Sequence, residues 1–214
     1  MKKLNMRKND TRGLLITFCG LDGCGKTTIM HRLIADLERE HEVFVTKQPT
    51  NVVRNSEVFR TYMDCPDHDA FDYRSLSLLA AGDRLQHVNK VIRPQMESGK
   101  IVLSDRYFYS CLANLRARGY KHDRWIYEIA ESVIEPDVAF FFDLPVREAV
   151  ARVRRRPEEK DRYIDMTLQY RLRQEYRRIC AANHGVLVPT TRTEDECYAM
   201  VKNAVKEVLC DGDL

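Results

Sequence analysis

Short runs of apolar residues recur along the chain, and each is bounded by residues that end a strand. The runs cover residues 14–19, 101–104, 138–142 and 186–188, and residues 41–47 show a weaker version of the same pattern. A short, continuous apolar run is typical of a strand that is buried on both faces. The pattern therefore predicts five strands of a parallel sheet.

Between these runs, apolar residues recur at the three- and four-residue spacing of an amphipathic helix. The spacing predicts helices over residues 29–37, 51–62, 71–96, 109–118, 123–133, from 143 onward, 164–183 and 194–209. Pro94 interrupts the long third helix near its end, and residues 65–69 have the composition of a loop. Strands that alternate with helices predict an α/β fold, a five-stranded parallel sheet with helices on both faces.

Composition and charge narrow the possible classes of protein. The 214 residues suit one domain, which we place at residues 13–209, with a tail at 210–214. The formal net charge of +3 argues against a general nucleic-acid or membrane-surface protein. Residues 1–12 are basic and polar, so we expect a disordered leader rather than a secretory signal. Seven scattered cysteines without zinc spacing favour free thiols in the cytoplasm.

A phosphate-binding motif, G-x-x-x-x-G-K-[ST], follows the first predicted strand and opens the first helix. Its residues are Gly20, Leu21, Asp22, Gly23, Cys24, Gly25, Lys26, Thr27 and Thr28. The glycines let backbone N–H groups surround phosphate oxygens, and the helix N-terminus adds partial positive charge. Lys26 can reach the β- and γ-phosphates, and the Thr27 hydroxyl can bind Mg²⁺. We therefore expect a nucleoside triphosphate with Mg²⁺. An amide-rich loop also lowers a thiol pKa, which makes Cys24 a candidate reactive thiol.

Two other predicted strands end in aspartate, and either carboxylate could assist a metal ion. Asp105 is the better candidate because Arg106 stands beside it, and an acid next to a guanidinium suits phosphoryl transfer. The alternative is a local ion pair between the two. Asp143 precedes a predicted helix, so we expect it to cap that helix.

An arginine-rich segment lies between two predicted helices. Arg152, Arg154, Arg155 and Arg156 precede a proline that breaks the helix, and Arg162 lies beyond it. Such a run is either a solvated helix end or a flexible lid that carries a cation to the site. Beside a phosphate-binding loop, a lid at about residues 152–163 is the better interpretation.

Several motifs, in one order, resemble those of bacterial thymidylate kinases. They are Gly-Asp-Arg-Leu-Gln-His-Val at 82–88, Val-Ile-Arg-Pro at 91–94, Asp-Arg-Tyr at 105–107 with Ser110, Asp-Leu-Pro-Val at 143–146 and Asp-Arg at 161–162. The likeness covers roughly residues 13–209. It implies the P-loop kinase fold with a lid.

The resemblance also implies a reaction, ATP + dTMP giving ADP + dTDP with Mg²⁺, and a role for individual residues. Lys26, Thr27 and the loop amides would hold ATP, residues 190–192 with Arg192 would lie near adenine, and Asp105 would assist the metal. The acceptor side would comprise Asp22, Pro49, Arg84, Arg106, Ser110 and Asn114. Because the loop offers Gly23 and Cys24 where one style of the family has a catalytic arginine, the lid style is implied. Arg154 and Arg155 are then the catalytic candidates within residues 152–156. The family further implies a homodimer built on helices near residues 71–96.

Three departures from the family pattern lie on the acceptor side. The family's T-R-E-P-G-G-T appears here as Thr-Lys-Gln-Pro-Thr-Asn-Val at 46–52. Ala80 stands where the family stacks thymine on phenylalanine, and the family's A-Y-Q is Ala-Asn-Leu at 113–115. Loss of an aromatic stacking partner removes on the order of 1–3 kcal/mol in related base recognition. A relative with a different nucleotide or phosphorylated acceptor is therefore an alternative hypothesis.

A third hypothesis is a nucleotide switch rather than an enzyme. A GTP switch needs the guanine-reading pattern N-K-x-D, and Asn89-Lys90 begins that pattern without its aspartate. The sequence therefore favours a kinase. His87, on the same predicted helix as Arg84, is expected to be packed or hydrogen-bonded rather than catalytic.

Overall fold

The computed structural model describes residues 2–64 and 72–211. The predicted loop at residues 65–69, the predicted helix start at residue 71 and the end of the predicted tail, residues 212–214, lie outside the described residues.

One five-stranded sheet forms the centre of the fold. Its strands are β1 (Leu14–Gly20), β2 (Val43–Lys47), β3 (Ile101–Asp105), β4 (Val138–Asp143) and β5 (Val186–Pro189). They lie in the order β2-β3-β1-β4-β5, and every neighbouring pair is parallel. Every residue of β1 is buried, including Thr17, as its mostly apolar sequence predicts. The predicted parallel α/β sheet is confirmed.

Helices cover both faces of the sheet. They are α1 (Lys26–Leu37), α2 (Asn51–Arg54), α3 (Glu57–Asp64), α4 (Tyr73–His87), α5 (Arg93–Glu97), α6 (Phe108–Ala117), α7 (Trp125–Ala130), α8 (Val146–Arg154), α9 (Met166–Ala182) and α10 (Glu194–Asp211). A π-helical segment, Val88–Ile92, joins α4 to α5, and a 3₁₀ turn, Pro157–Glu159, follows α8. Within the described ranges, no helix combines the length and apolarity needed to cross a membrane.

Two helix predictions differ in detail from the structure. The predicted helix over residues 51–62 is two helices, because α2 ends after one turn at Arg54 and α3 begins at Glu57. The long helix continues past Pro94, since this proline occupies the first turn of α5 and the π-helical segment precedes it. A proline in a first turn loses no intrahelical hydrogen bond.

Asp143 does not cap the helix that follows β4. Pro145 directly precedes α8, and no side chain caps that helix. Two residues separate Asp143 from the first turn, which is too far for an N-cap. The carboxylate instead accepts two hydrogen bonds from the Arg173 guanidinium, at 2.6 and 2.8 Å, and so ties β4 to α9.

The N-terminal segment is packed against the domain, which corrects the prediction of a disordered leader. Leu4 is 1% exposed, and its backbone N–H donates to Asn183 Oδ1 at 2.9 Å. The backbone of Arg7 exchanges hydrogen bonds with Val133 and Glu135 at 2.9 and 2.7 Å. Among the described residues of this segment, only two apolar ones, Leu4 and Met6, are buried, and the basic residues around them hide it in the sequence.

Replacing Leu4 by alanine tests this packing. We expect Leu4→Ala to lower the free energy of unfolding by about 2–5 kcal/mol, because it empties a buried site. Urea denaturation provides the measurement. Asn5→Ala, at an exposed neighbouring position, should change it by no more than about 0.5 kcal/mol. Equal effects of the two substitutions would contradict the packed segment.

Candidate active site

The phosphate-binding loop connects β1 to α1 in a conformation that requires glycine. Gly23 and Gly25 have φ angles of 79° and 93°, in the left-handed region. A Cβ atom at Gly23 would also lie 2.3 Å from the Ala149 carbonyl oxygen of α8. The loop therefore packs against α8 by backbone alone, and α1 begins directly at Lys26.

The Lys26 side chain is buried and folds back over the loop. Its ammonium donates to the carbonyl oxygens of Leu21 at 2.7 Å and Gly20 at 3.3 Å. Cys24 is fully buried beneath it, with Sγ 3.6 Å from Nζ. The loop therefore fixes the cation in place but does not present the Cys24 thiol to solvent.

A cavity of about 200 Å³, which we call the P-loop cavity, opens over the loop. Its lining comprises Asp22, Gly23, Gly25, Lys26, Thr27, Thr28, Lys47, Asp105, Arg106, Arg152 and Arg156. Arg152 and Arg156 are thus the arginines of α8 and its C-terminal end that reach it. All four arginines are exposed, but Arg154 and Arg155 appear in the described lining of neither this cavity nor the next. The structure thus brings Arg152 and Arg156, rather than the sequence-based candidates Arg154 and Arg155, into the described linings of these cavities.

A second cavity of about 350 Å³, the acceptor-side cavity, lies beside the first. The two share the side chains of Asp22, Lys47, Arg106 and Arg156. All the residues assigned to the acceptor from the sequence line it, namely Asp22, Pro49, Arg84, Arg106, Ser110 and Asn114. The volume is that of a small-molecule site.

Arg106 stands at the boundary between the two cavities in a constrained conformation. Its φ of 69° lies in the left-handed region, which a residue with a side chain seldom adopts. Its backbone N–H donates to Phe18 of β1 at 2.8 Å. The guanidinium donates to Gly20 O at 3.1 Å, to the Tyr176 hydroxyl at 3.0 Å and to the Asp22 carboxylate. Backbone strain of this kind concentrates at functional sites.

The Asp22 carboxylate is held between two guanidinium groups. Arg106 contacts one oxygen, and Arg162, from the arginine-rich segment, donates to the other at 3.0 Å. Burial opposes its ionisation, but Arg106, Lys26 and Arg162 together hold the pKa of Asp22 well below its ordinary value. Asp22 is therefore a carboxylate at neutral pH, directed at both cavities.

Asp105 ends β3 opposite Lys47, which ends β2. The Lys47 ammonium lies 3.1 Å from one carboxylate oxygen, while the other, Oδ1, is buried without a hydrogen-bond partner in the described residues. Burial works against ionisation, yet Arg106 and the two lysines of the cavity lower the pKa of Asp105. An ionised, unsatisfied oxygen in the same cavity as the Thr27 hydroxyl suits a Mg²⁺ site.

Sequence reasoning missed several side chains of the acceptor-side cavity. They include Arg54, Phe59, Tyr62, Tyr73, Arg118 and Tyr176. Tyr176 lies on α9 and donates to Ser110 Oγ at 3.0 Å, which links it to the Asp-Arg-Tyr motif of β3. These residues come from separate helices, and only the tertiary packing brings them together.

The two ends of the segment assigned to adenine, residues 190–192, lie in different surroundings. Thr190 is buried beside the loop, and a Cβ atom at Gly25 would lie 3.8 Å from its methyl group. Arg192 is exposed, and its guanidinium lies 3.9 Å from Met200 Sδ. Neither described cavity lining includes Arg192.

His87 is buried between two side chains of the β2 loop, as expected for a packed histidine. The Gln48 amide donates to Nδ1 at 3.1 Å, and Nε2 lies 3.0 Å from the Thr46 hydroxyl. Burial lowers the pKa of His87 below its ordinary value of 6.5, and nearby Asp83 opposes this change. The ring is engaged on both nitrogens and therefore serves the structure.

A phosphate-binding loop at the centre of a parallel sheet, with a basic second cavity beside it, defines a P-loop kinase of nucleoside monophosphates, a class of transferases. A family model described as thymidylate kinase matches residues 18–201. The chain belongs to the thymidylate kinase family.

Curated relatives agree with this family over most of their length. The probable thymidylate kinase of Thermococcus kodakarensis is 36% identical over 170 residues, which cover 76% of this chain and 82% of that protein. The probable thymidylate kinase of Pyrococcus horikoshii is 36% identical over 171 residues, 77% of this chain and 82% of that protein. The thymidylate kinase of Halothermothrix orenii is 31% identical over 207 residues, 92% and 99% of the two chains.

His87→Gln tests the structural role of this histidine through pH. Because folding lowers the histidine pKa, the unfolded chain takes up the proton first as pH falls below about 6.5, and the folded state loses stability. We expect His87→Gln to remove this loss, which amounts to at most about 1.4 kcal/mol per pH unit. Denaturant titrations between pH 7 and 5 measure it, with exposed His31→Gln as control. Matching slopes in His87→Gln and wild type would contradict the assignment.

Proposed function

We propose that this chain transfers the γ-phosphoryl group of ATP to dTMP, giving ADP and dTDP. The observation that carries the proposal is the junction of the two cavities at Arg106 and Asp22. Phosphoryl transfer needs donor and acceptor in line and charge neutralised between them. A guanidinium that lines both cavities, such as that of Arg106, would touch both phosphates.

The P-loop cavity is proposed to hold ATP with Mg²⁺. Loop amides and Lys26 would bind the phosphates, and the Thr27 hydroxyl and the unsatisfied Asp105 oxygen would bind the metal. Mg²⁺ neutralises charge on the phosphates when it is bound. We also keep Arg192 as an adenine-side candidate, although Thr190 is the residue beside the loop.

The acceptor-side cavity is proposed to hold dTMP. Arg106 would bind its phosphate, Asp22 would face the sugar, and Arg84 would donate to the base. Pro49, Ser110 and Asn114 would line the same cavity. Family membership and the named relatives support dTMP as the acceptor.

The lid, residues 152–163, is proposed to supply the catalytic cation from Arg152 or Arg156. Arg152 Nη1 would lie 3.9 Å from a Cβ atom at Gly25, and Arg156 lines both cavities. A guanidinium at this position would stabilise charge that develops on the moving phosphoryl group.

We further propose a cytoplasmic homodimer whose interface includes α2, α4 and the π-helical segment. Val52 is 79% exposed, and Leu78 and Leu79 are 47% and 42% exposed. Val52 and Leu79 also line an open groove of about 780 Å³ with Val91. Apolar side chains grouped on one face favour burial against a partner.

ADP release with ATP, Mg²⁺ and a panel of acceptors tests the proposed reaction. The panel contains dTMP, dUMP, UMP, CMP, AMP and GMP, with a control lacking acceptor. We expect fast turnover with dTMP, and a loss of at least about a hundredfold in Lys26→Ala, since the phosphates lose a fixed cation. Background rates with every acceptor would contradict the proposal, as would an active Lys26→Ala variant.

A comparison of two positions on α8 tests the lid assignment. We expect Arg152→Ala to lower kcat by about a hundredfold or more, because it removes a cation from the P-loop cavity. Arg154→Ala removes an exposed cation two residues away and should retain kcat within about twofold. Steady-state kinetics at saturating dTMP measure both, with Arg156→Ala in parallel. Full activity in Arg152→Ala and Arg156→Ala together would rule out a catalytic arginine at either position.

A further inference from the structure

The acceptor-side cavity contains aromatic side chains near Ala80, although the alanine at position 80 removes the ring that the family pattern places there. Ala80 lines the cavity without a ring, but Tyr62 and Tyr73 line it too, with ring centroids 5.2 Å apart. Tyr73, Ala80 and Arg84 follow one another on one face of α4 at helical spacing. The cavity wall therefore keeps aromatic surface, two turns before Ala80.

Arg118 lies against this aromatic surface and is held rigidly. Its guanidinium carbon is 4.0 Å from the centroid of Tyr73 and 4.9 Å from that of Tyr62. Nε donates to the Tyr62 hydroxyl, and Nη1 donates to Asn114 at O, 3.2 Å, and Oδ1, 2.8 Å. Nη2 has no hydrogen-bond partner among the described residues, so its two N–H groups remain available on a fixed plane.

Arg84 offers unused donors to the same cavity. It is 4% exposed and Nη1 donates to the Ala80 carbonyl at 2.9 Å, whereas the buried Nε has no partner in the described part of the chain. Burial raises the pKa of Tyr73, and the charges of Arg118 and Arg84 both oppose that shift. Both guanidinium groups therefore act on the same ring.

The carboxylates of the described lining are already paired. Asp22 is held by Arg106 and Arg162, and Glu159 accepts from Arg162 at 2.9 Å. Asn114 Oδ1 is occupied by Arg118. A base with keto oxygens would therefore meet free donors at Arg84 and Arg118, while an exocyclic amino group would face cations without a free carboxylate to accept its hydrogen bond.

We propose that Arg118 is a second base-reading residue, which acts beside Arg84 to select acceptor bases with a keto edge over bases with an amino edge. This inference rests on the proposed function, because it assumes that the cavity binds the acceptor nucleotide. Arg118 is a specificity determinant whose plane is set by Tyr73 and Asn114.

Arg118→Met tests the proposal with two acceptors that differ at one edge of the ring. Thymine and 5-methylcytosine both carry a methyl group at C5, but 5-methylcytosine has an amino group at C4 where thymine has a keto oxygen. In wild type we expect kcat/KM for dTMP to exceed that for 5-methyl-dCMP by at least about a hundredfold. In Arg118→Met we expect this ratio to fall at least about tenfold, through a higher KM for dTMP with an unchanged KM for ATP.

Arg74→Met is the matched control. Arg74 also stacks on a tyrosine, 4.5 Å from the Tyr120 centroid, but it pairs with Asp123 outside the cavity. In Arg74→Met, the ratio of kcat/KM for dTMP to kcat/KM for 5-methyl-dCMP should equal that of wild type. A wild-type ratio in Arg118→Met, with a melting temperature within a few degrees of wild type, would overturn the proposal.

If Arg118→Met fails to fold, a second variant, Arg118→Lys, tests the proposal in its place. Arg118→Lys keeps the cation over Tyr73 but loses the planar fork, and it should lower the ratio without changing the KM for ATP. An unchanged ratio in Arg118→Lys would overturn the proposal in that case. Failure of the proposed function has a different signature, since the wild type itself would then show no turnover with dTMP.

Discussion

The contact between Arg106 and Asp22 is the interaction on which the site depends. It joins the end of β3 to the phosphate-binding loop after β1, which are neighbours because the strands are parallel and in register, Phe18 opposite Asp105. The left-handed backbone at Arg106 turns its guanidinium back over Gly20. Because Arg106 and Asp22 both line the two cavities, their ion pair fixes the position of one cavity relative to the other.

The described lining of the acceptor-side cavity carries more positive than negative charge. Within the described lining of the acceptor-side cavity, six arginines (Arg54, Arg84, Arg106, Arg118, Arg156 and Arg162) face two carboxylates, Asp22 and Glu159. Burial of several cations together is unfavourable unless anions accompany them. A nucleotide phosphate supplies such anions, so binding of the acceptor and relief of repulsion among the arginines are the same event. This cavity is therefore electrostatically matched to an anionic occupant.

The sheet and the phosphate-binding loop could be predicted from the sequence because each follows from a local pattern. The residues assigned to the acceptor came from the family resemblance, and the structure brings them into the lining of one cavity. Gly25 and Lys26 belong to a contiguous motif, and β1 and β3 each contain a short, mostly apolar run. Tyr73 and Arg118 could not be found in this way, since their contact joins α4 to the end of α6 across the cavity. That Arg152 rather than Arg154 lines the P-loop cavity depends on which side of α8 faces the loop, which the sequence does not show. The burial of Leu4 could not be predicted, because Leu4 and Met6 alone, in a basic segment, are too few to show a strand or helix pattern.

The docked N-terminal segment also constrains the order in which the chain completes its fold. The hydrogen bond from Leu4 to Asn183 spans 179 residues, one of the widest separations available to this chain. During synthesis, Asn183 is added 179 residues after Leu4, so most of the domain is made before this hydrogen bond can form. Residues 4–7 dock on Val133, Glu135 and Asn183, so this contact needs those distant parts of the fold in place and belongs among the late events of folding. The segment at residues 4–7 is thus among the last parts of the molecule to reach its native contacts.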